Sequence, residues 1–241
     1  MIPVRPIEAW RAGQWHKIPI LTGFNTNEGA IFVPERLYSN QQFNDFFHTL
    51  LPSLSEDDLE ELNRVYLDPL THADSKYREL RKGLGAQYRR LEQAYGHFAY
   101  VAPVRHTAVF AAAAEAPIYL YHFAASSSVK GGADHGTHSR FPTYSKSVRS
   151  VSQTVDEISG TMHAYWTSFI LTGDPNAVEG RYPKRPEWPR FGTWNGDLAV
   201  FGEGNDEVAG GDNKGVVVEV RSDTWPVESE YWWARTEKFE G

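Results

Sequence analysis

The sequence predicts an α/β fold, and two observations carry this prediction. Apolar runs of strand length occupy residues 18–24 and 118–123, and each is followed by small and polar residues. Elsewhere, apolar residues recur three or four positions apart over stretches long enough for helices. Strands that alternate with long helices are typical of the α/β class.

In the first half of the chain, the run at residues 18–24 predicts a buried strand that ends in the polar loop 25–29. Ser55, with a carboxylate three residues later and a negative first turn, predicts the start of a helix that ends before Asp68 and Pro69. Two further helical stretches are predicted between residues 85 and 114, divided near Pro103.

In the second half, residues 118–123 predict a second strand with a long exit loop, 126–144. An apolar stripe over residues 155–169 predicts a long helix, in which Gly160 is an unfavourable residue. The pair Asn195-Gly196 predicts the tight turn of a small hairpin within residues 188–201. One more short strand is predicted at 216–220, and the aromatic residues 231–233 predict a short helix.

The composition excludes several classes of function. The chain of 241 residues has 31 acidic and 24 basic side chains, and its nearest basic cluster is Arg89-Arg90, so we expect no nucleic-acid partner. It contains no cysteine, which excludes a disulfide scaffold, an iron–sulfur cluster and a cysteine nucleophile. No apolar run reaches the roughly 18 residues of a membrane span. Neither a signal-like N-terminus nor an Asn-x-Ser/Thr sequon occurs, and localisation stays open.

Candidate chemistry lies in the loops that follow the two predicted strands. Glu28 follows the first strand, between Asn27 and Gly29, and His135 lies in the loop after the second strand. Reactive groups of α/β proteins are displayed at the carboxyl ends of strands, and a carboxylate can orient an imidazole that acts as a general base. The pair therefore suggests an acid and a base.

Other interpretations of these residues remain open. Glu28 is also explained as a solvated turn residue, and His135 as a surface histidine. His135 and His138 have a His-x-x-His spacing, but no third ligand accompanies them, so we predict no metal and no cofactor. We interpret His122 and His163 as packed or capped structural histidines.

A resemblance to a known family rests on the order of several segments. The chain resembles type-B carboxylesterases, the cholinesterase-like branch of the α/β-hydrolase fold. The sequences of its segments are similar to those of fungal members. The segments that carry the resemblance are Gly23-Phe24-Asn25-Thr26-Asn27-Glu28-Gly29, Tyr119-Leu120-Tyr121-His122-Phe123, Asp134-His135-Gly136, Met162-His163-Ala164-Tyr165-Trp166, Thr172-Gly173-Asp174-Pro175-Asn176 and Trp188-Pro189. The resemblance implies a mostly parallel sheet flanked by helices. It also implies that residues 1–241 are the C-terminal portion of one such domain, with an incomplete sheet.

The resemblance further implies an ester hydrolase with a small-molecule ester substrate. Glu28 stands at the family's triad acid and His135 at its triad histidine. After His135-Gly136, however, the family continues with an acidic residue and an apolar-aromatic stretch, whereas this chain has Thr137-His138-Ser139-Arg140-Phe141. This departure leaves His138 as a rival base.

The nucleophile of the family is absent from the sequence. No serine has glycine two residues before and two after it, so the Gly-x-Ser-x-Gly motif does not occur. In the family this motif precedes the acid, so we expect the serine before residue 1, in a missing N-terminal part that acts as the chain's partner. On its own, the chain is expected to be inactive and prone to association. Two alternatives are a cholinesterase-like binding protein without catalysis and a truncated gene product.

Overall fold

The computed structural model describes residues 4–128, 132–193, 196–223 and 226–239. The chain divides into two compact units, which are treated separately below. The first unit comprises Met1–Thr26 and Val104–Thr224, and the second comprises Asn27–Pro103 and Trp225–Gly241. The assignment of residues 1–241 to one domain stays a prediction.

The first unit contains a four-stranded sheet in the order β1-β2-β3-β4. Its strands are β1 (Ile20–Asn25), β2 (Ile118–Phe123), β3 (Gly196–Phe201) and β4 (Val218–Asp223). The first three are parallel, and β4 is antiparallel to β3. This mixed sheet with its helices confirms the predicted α/β class and the two strands predicted with it.

The helices begin and end close to the predicted positions where the sequence carried a cap or a stripe. They are α1 (Pro6–Arg11), α2 (Asn40–Leu50), α3 (Glu56–Val65), α4 (Tyr88–Gly96), α5 (Ala102–Ala113), α6 (Lys146–Arg149), α7 (Gln153–Thr172), α8 (Val227–Trp233) and α9 (Thr236–Phe239). Among the described residues, no helix is both long enough and apolar enough to cross a bilayer.

Helix α7 covers the sheet of the first unit. It begins at Ser152, whose hydroxyl accepts a hydrogen bond from the backbone of Val155, and ends at Gly173, whose φ of +78° is left-handed. Its apolar stripe is buried from Val155 to Tyr165, and Phe169 is partly buried, in a core shared with aromatic residues of the strands. The members of that core include Tyr119, Phe123, Ile158, Met162, Tyr165, Trp188 and Phe201.

The second unit is helical and has an aromatic core of its own. Capping boxes start α2 at Ser39 and α3 at Ser55. The basic pair Arg89-Arg90 forms no surface patch, because Arg90 is buried with its guanidinium 3.8 Å from the ring centre of Phe43. The core includes Phe43, Phe47, Leu62, Tyr66, Tyr88, Leu91 and Trp232.

Two predicted elements differ in the structure. The division near Pro103 is a π-helical turn, His97–Val101, between α4 and α5, because a proline within a helix removes a hydrogen bond and crowds the preceding turn. The hairpin within residues 188–201 is wrong: described residues 188–193 form no strand, and β3 instead pairs with β2 and β4. Asn195 of its predicted turn lies outside the described residues.

Candidate active site

Glu28 is a buried carboxylate on a turn that lies directly against α4. The residue is only 6% exposed to solvent. A Cβ at Gly29 would lie 2.0 Å from the carbonyl oxygen of Glu92, and one at Gly96 would lie 2.8 Å from the backbone nitrogen of Gly29. Two glycines therefore permit a backbone approach that any side chain would prevent. Burial, then Tyr95, and then the Glu28 carboxylate raise the pKa of Tyr100.

A second contact holds the residue before Glu28. Asn27 donates a hydrogen bond from Nδ2 to Oε1 of Glu92 (3.0 Å), and Arg81 approaches the same oxygen at 2.9 Å. Glu92 is 1% exposed, and burial raises its pKa although Arg81 opposes the shift. Its Oε2 is buried with no partner among the described residues. The turn is thus tied to α4 by a charge-assisted hydrogen bond as well as by glycine contacts.

His135 is an exposed residue of a loop that is held from the end of β1. The buried Asn25 donates from Nδ2 to the carbonyl oxygen of Asp134 at 2.6 Å, and the hydroxyl of Thr137 donates to the same oxygen at 2.7 Å. Gly136 follows with a φ of +77°, a left-handed conformation that favours glycine. The loop therefore presents the His135 ring at the surface while its backbone is fixed beneath.

His138 is placed differently, against β2. Its Nε2 lies 3.1 Å from the hydroxyl of Tyr121, and its ring packs on Tyr121 and Phe123. Burial, and then the neighbouring His135, lower the pKa of His138. In the described part of the chain, no group of three or more potential metal-ligating side chains is found around these histidines or elsewhere.

His122 and His163 make the local contacts expected of structural histidines. His122 Nε2 lies 2.8 Å from the hydroxyl of Thr26, and its ring stacks on Phe24. His163 Nδ1 donates to the carbonyl oxygen of Pro142 at 2.7 Å. These contacts explain both residues without a catalytic role.

Comparison with known proteins decides the family. A sequence model of the Carboxylesterase family matches residues 1–214. The chain belongs to the carboxylesterase family. One curated relative, secreted lipase 4 of Gibberella zeae, is 29% identical over 234 residues, covering 94% of this chain and 38% of that protein. The chain thus spans about two fifths of the length of this relative.

A solved structure shows the same fold. The chain is similar to the crystal structure of Aspergillus niger EstA, with a TM-score of 0.75 and 23% identity, covering all of this chain and 44% of that one. The carboxylesterase family and these two fungal proteins confirm the resemblance found in the sequence. The sheet described above is correspondingly an incomplete part of the α/β-hydrolase fold.

Within this member of the carboxylesterase family, the structure assigns positions to every candidate residue. Glu28 belongs to the second unit and His135 to the first, and each is anchored within its own unit. Sequence reasoning missed the roles of Asn25 as the anchor of the His135 loop and of Glu92 as the partner of Asn27. The asparagines beside Glu28 were the available signal, but their partners lie 65 and 109 residues away in the chain.

Proposed function

We propose that this chain supplies the acid and the base of a carboxylic ester hydrolase whose nucleophilic serine lies outside the 241 residues. The observation that carries the proposal is the match to the carboxylesterase family over residues 1–214, which include both Glu28 and His135. The proposal gives these two residues the roles that the family resemblance implies.

In this mechanism His135 acts first as a general base and then as a general acid. It takes the proton of the serine hydroxyl as the oxygen attacks the ester carbonyl, and it returns the proton to the departing alcohol. Water then attacks the acyl carbonyl while His135 takes its proton, and His135 returns this proton to the serine oxygen as the acyl–serine bond breaks. Glu28 has the role of the triad acid, which in this mechanism fixes the tautomer of the base and stabilises the imidazolium.

The loop geometry favours His135 over His138 as the base. His135 is exposed on a loop with a fixed backbone, so its ring can reach a partner that approaches from outside. His138 has one ring nitrogen beside Tyr121 and a pKa lowered chiefly by burial, so it is a weaker base with less access. The closed packing of His138 supports a structural role beneath the loop.

The proposed substrate is a carboxylic ester of a small molecule. The Gibberella zeae relative is named a lipase, and the family name denotes carboxylesterases, so both point to ester carbonyls. The carboxylate and imidazole require no metal for this acyl transfer.

The test compares the longest in-frame product of the gene with the 241-residue chain. We expect the longer product to react with a fluorophosphonate probe and to hydrolyse p-nitrophenyl butyrate, because it would include the serine. The 241-residue chain should do neither. Rapid hydrolysis by the 241-residue chain, or a folded longer product that resists the probe, would contradict the proposal.

A further inference from the structure

A small cavity lies in the first unit between α7 and the segment 178–182. Its volume is about 270 Å³. One wall is a face of α7 that carries Gly160, Ala164 and Thr167, and the opposite wall includes Val178. The rings of two tyrosines, Tyr144 and Tyr182, complete an apolar lining. The polar residues that line the cavity include Arg181 and His163.

Gly160 explains how one of these tyrosines is seated. A Cβ at this position would lie 2.1 Å from the phenol oxygen of Tyr182. Glycine inside a helix is less favourable than alanine. Gly160, which is unfavourable within α7, therefore leaves the space that the ring of Tyr182 occupies at the cavity wall.

Tyr144 is held in a strained backbone conformation at the cavity. Its φ is +55°, in the left-handed region that residues other than glycine seldom adopt. Its hydroxyl accepts a hydrogen bond from Nη1 of Arg181 at 2.9 Å, and the guanidinium of Arg149 lies 4.6 Å from its ring centre. The ring of His163 stacks on it at 5.5 Å. Cationic and aromatic contacts thus hold this side chain in place.

The two arginines beside the cavity lack ion pairs in the part of the chain that the structure describes. Within the described residues, neither Arg149 nor Arg181 forms a salt bridge, and Nε of Arg149 is buried without a partner. Burial, and then the neighbouring Tyr144 phenol, raise the pKa of Tyr182 to about 12, and the carboxylate of Asp156 adds to this shift. Both guanidinium groups thus contact Tyr144, and neither has an ionic partner in the described part of the chain.

We propose that this cavity binds a small organic monocarboxylate with an apolar body. The apolar body lies against the face of α7 and the tyrosine rings, and the carboxylate lies at the guanidinium of Arg181. A planar guanidinium without an ionic partner is well suited to a carboxylate, and Arg149 adds positive potential from behind Tyr144. The volume is slightly below the ~300 Å³ at which ordinary small-molecule sites begin, so the ligand is small. This inference rests on neither Glu28 nor His135.

The test uses calorimetric titration of the protein with benzoate and with benzamide, which have the same shape but different charge. We expect benzoate to bind at least tenfold more tightly than benzamide, because a charge-assisted hydrogen bond exceeds a neutral one. Arg181→Gln should weaken benzoate binding at least tenfold. Arg64→Gln, the same change at an exposed arginine of α3 in the other unit, should leave the Kd unchanged.

A second variant keeps the test decisive if Arg181→Gln disturbs the fold. Thr167 lies on the exposed rim of the cavity, so Thr167→Phe fills the space while the core stays intact. It should abolish binding of both compounds with an unchanged circular dichroism spectrum. Equal Kd values for benzoate and benzamide, unaltered binding in Thr167→Phe, or no benzoate binding at millimolar concentration would overturn the proposal.

Discussion

His122 shows how a single neutral histidine contributes to the stability of the sheet. It lies on β2 against Phe24 and Thr26, while the guanidinium of Arg105 lies 4.8 Å from the centre of the Phe24 ring. Burial, and then the charges of Arg105 and Arg221, lower the pKa of His122 to about 4. The folded protein therefore strongly prefers the uncharged imidazole.

This preference predicts a pH dependence of stability. The unfolded chain binds a proton at His122 near pH 6.5 and the folded protein near pH 4, so in this window the unfolded state holds more protons. The stabilisation is complete above pH 6.5 and is lost as the pH falls towards 4. Between pH 7 and pH 5, the free energy of unfolding should fall by about 2 kcal/mol more in the wild type than in His122→Asn. Urea titrations measure this difference, and equal losses in the two proteins would contradict it.

At the scale of elements, the contact of the Glu28 turn with α4 depends on glycine. Gly29 has an ordinary backbone conformation, but a methyl group there would overlap the carbonyl oxygen of Glu92. We expect Gly29→Ala to lower the free energy of unfolding by about 3 kcal/mol, because backbone must move to admit the methyl group.

Gly13 provides the control for this prediction. It has a φ of +67° with no atom near the position of a Cβ, so Gly13→Ala should lose only about 1 kcal/mol from the left-handed conformation. Urea titrations compare the two variants. A smaller loss for Gly29→Ala than for Gly13→Ala would show that the turn yields easily.

The start of α3 is also the anchor for the end of the chain. Asp58 accepts hydrogen bonds from the backbone of Ser55, from Nε of Arg235 (2.9 Å) and from Nζ of Lys238 (2.5 Å). Burial acts to raise the pKa of Asp58, but Lys238, Ser55 and Arg235 outweigh it and hold the pKa well below its usual range.

Asp58→Asn should therefore destabilise the helical unit. We expect a loss of about 3 kcal/mol, because the buried Arg235 keeps only one of its two carboxylate partners, Glu61, and Lys238 loses the carboxylate that it contacts. Asp57→Asn is a matched control on the same turn of α3, where the exposed side chain contributes about 0.5 kcal/mol through the helix dipole. Equal losses in thermal or urea unfolding would contradict the anchoring role.

The elements that could be predicted from the sequence are those with local signals. The cap at Ser55 and the stripe of α7 predict helices because their determinants lie within a few residues. The capping box of α2, with Ser39 and Gln42, carried the same kind of signal and was missed. The hairpin around Asn195-Gly196 was wrong, because the partner of a strand depends on residues far away in the sequence, and β3 pairs with β2 and β4.

The candidate site follows the same division. The order of Glu28 and His135 after successive strands is visible in the sequence, and so is the replacement that introduces His138. Two other features depend on contacts between residues that are distant in the sequence, so they are visible only in the folded chain. His138 packs on Tyr121, and Asn25 holds the His135 loop. Patterns in a single sequence thus indicate the candidate catalytic residues but not the residues that hold them in place.

At the scale of the whole molecule, β1 is an edge strand of the sheet. Its outer edge has no partner strand among the described residues, and an unpaired edge of a parallel sheet is a site of association. We expect the 241-residue chain to form concentration-dependent oligomers in light scattering after gel filtration. Thr22→Lys, a charge of the kind that protects natural edges, should reduce them. A monodisperse monomer at all concentrations would contradict this expectation.

We propose that this member of the carboxylesterase family uses His135 and not His138 as its base. The measurement is kcat for p-nitrophenyl butyrate in the longest gene product carrying His135→Ala or His138→Ala. We predict that His135→Ala lowers kcat by roughly three to four orders of magnitude, as the loss of a triad base does, whereas His138→Ala has a mild effect. A large loss in His138→Ala with near-normal activity in His135→Ala would contradict the account.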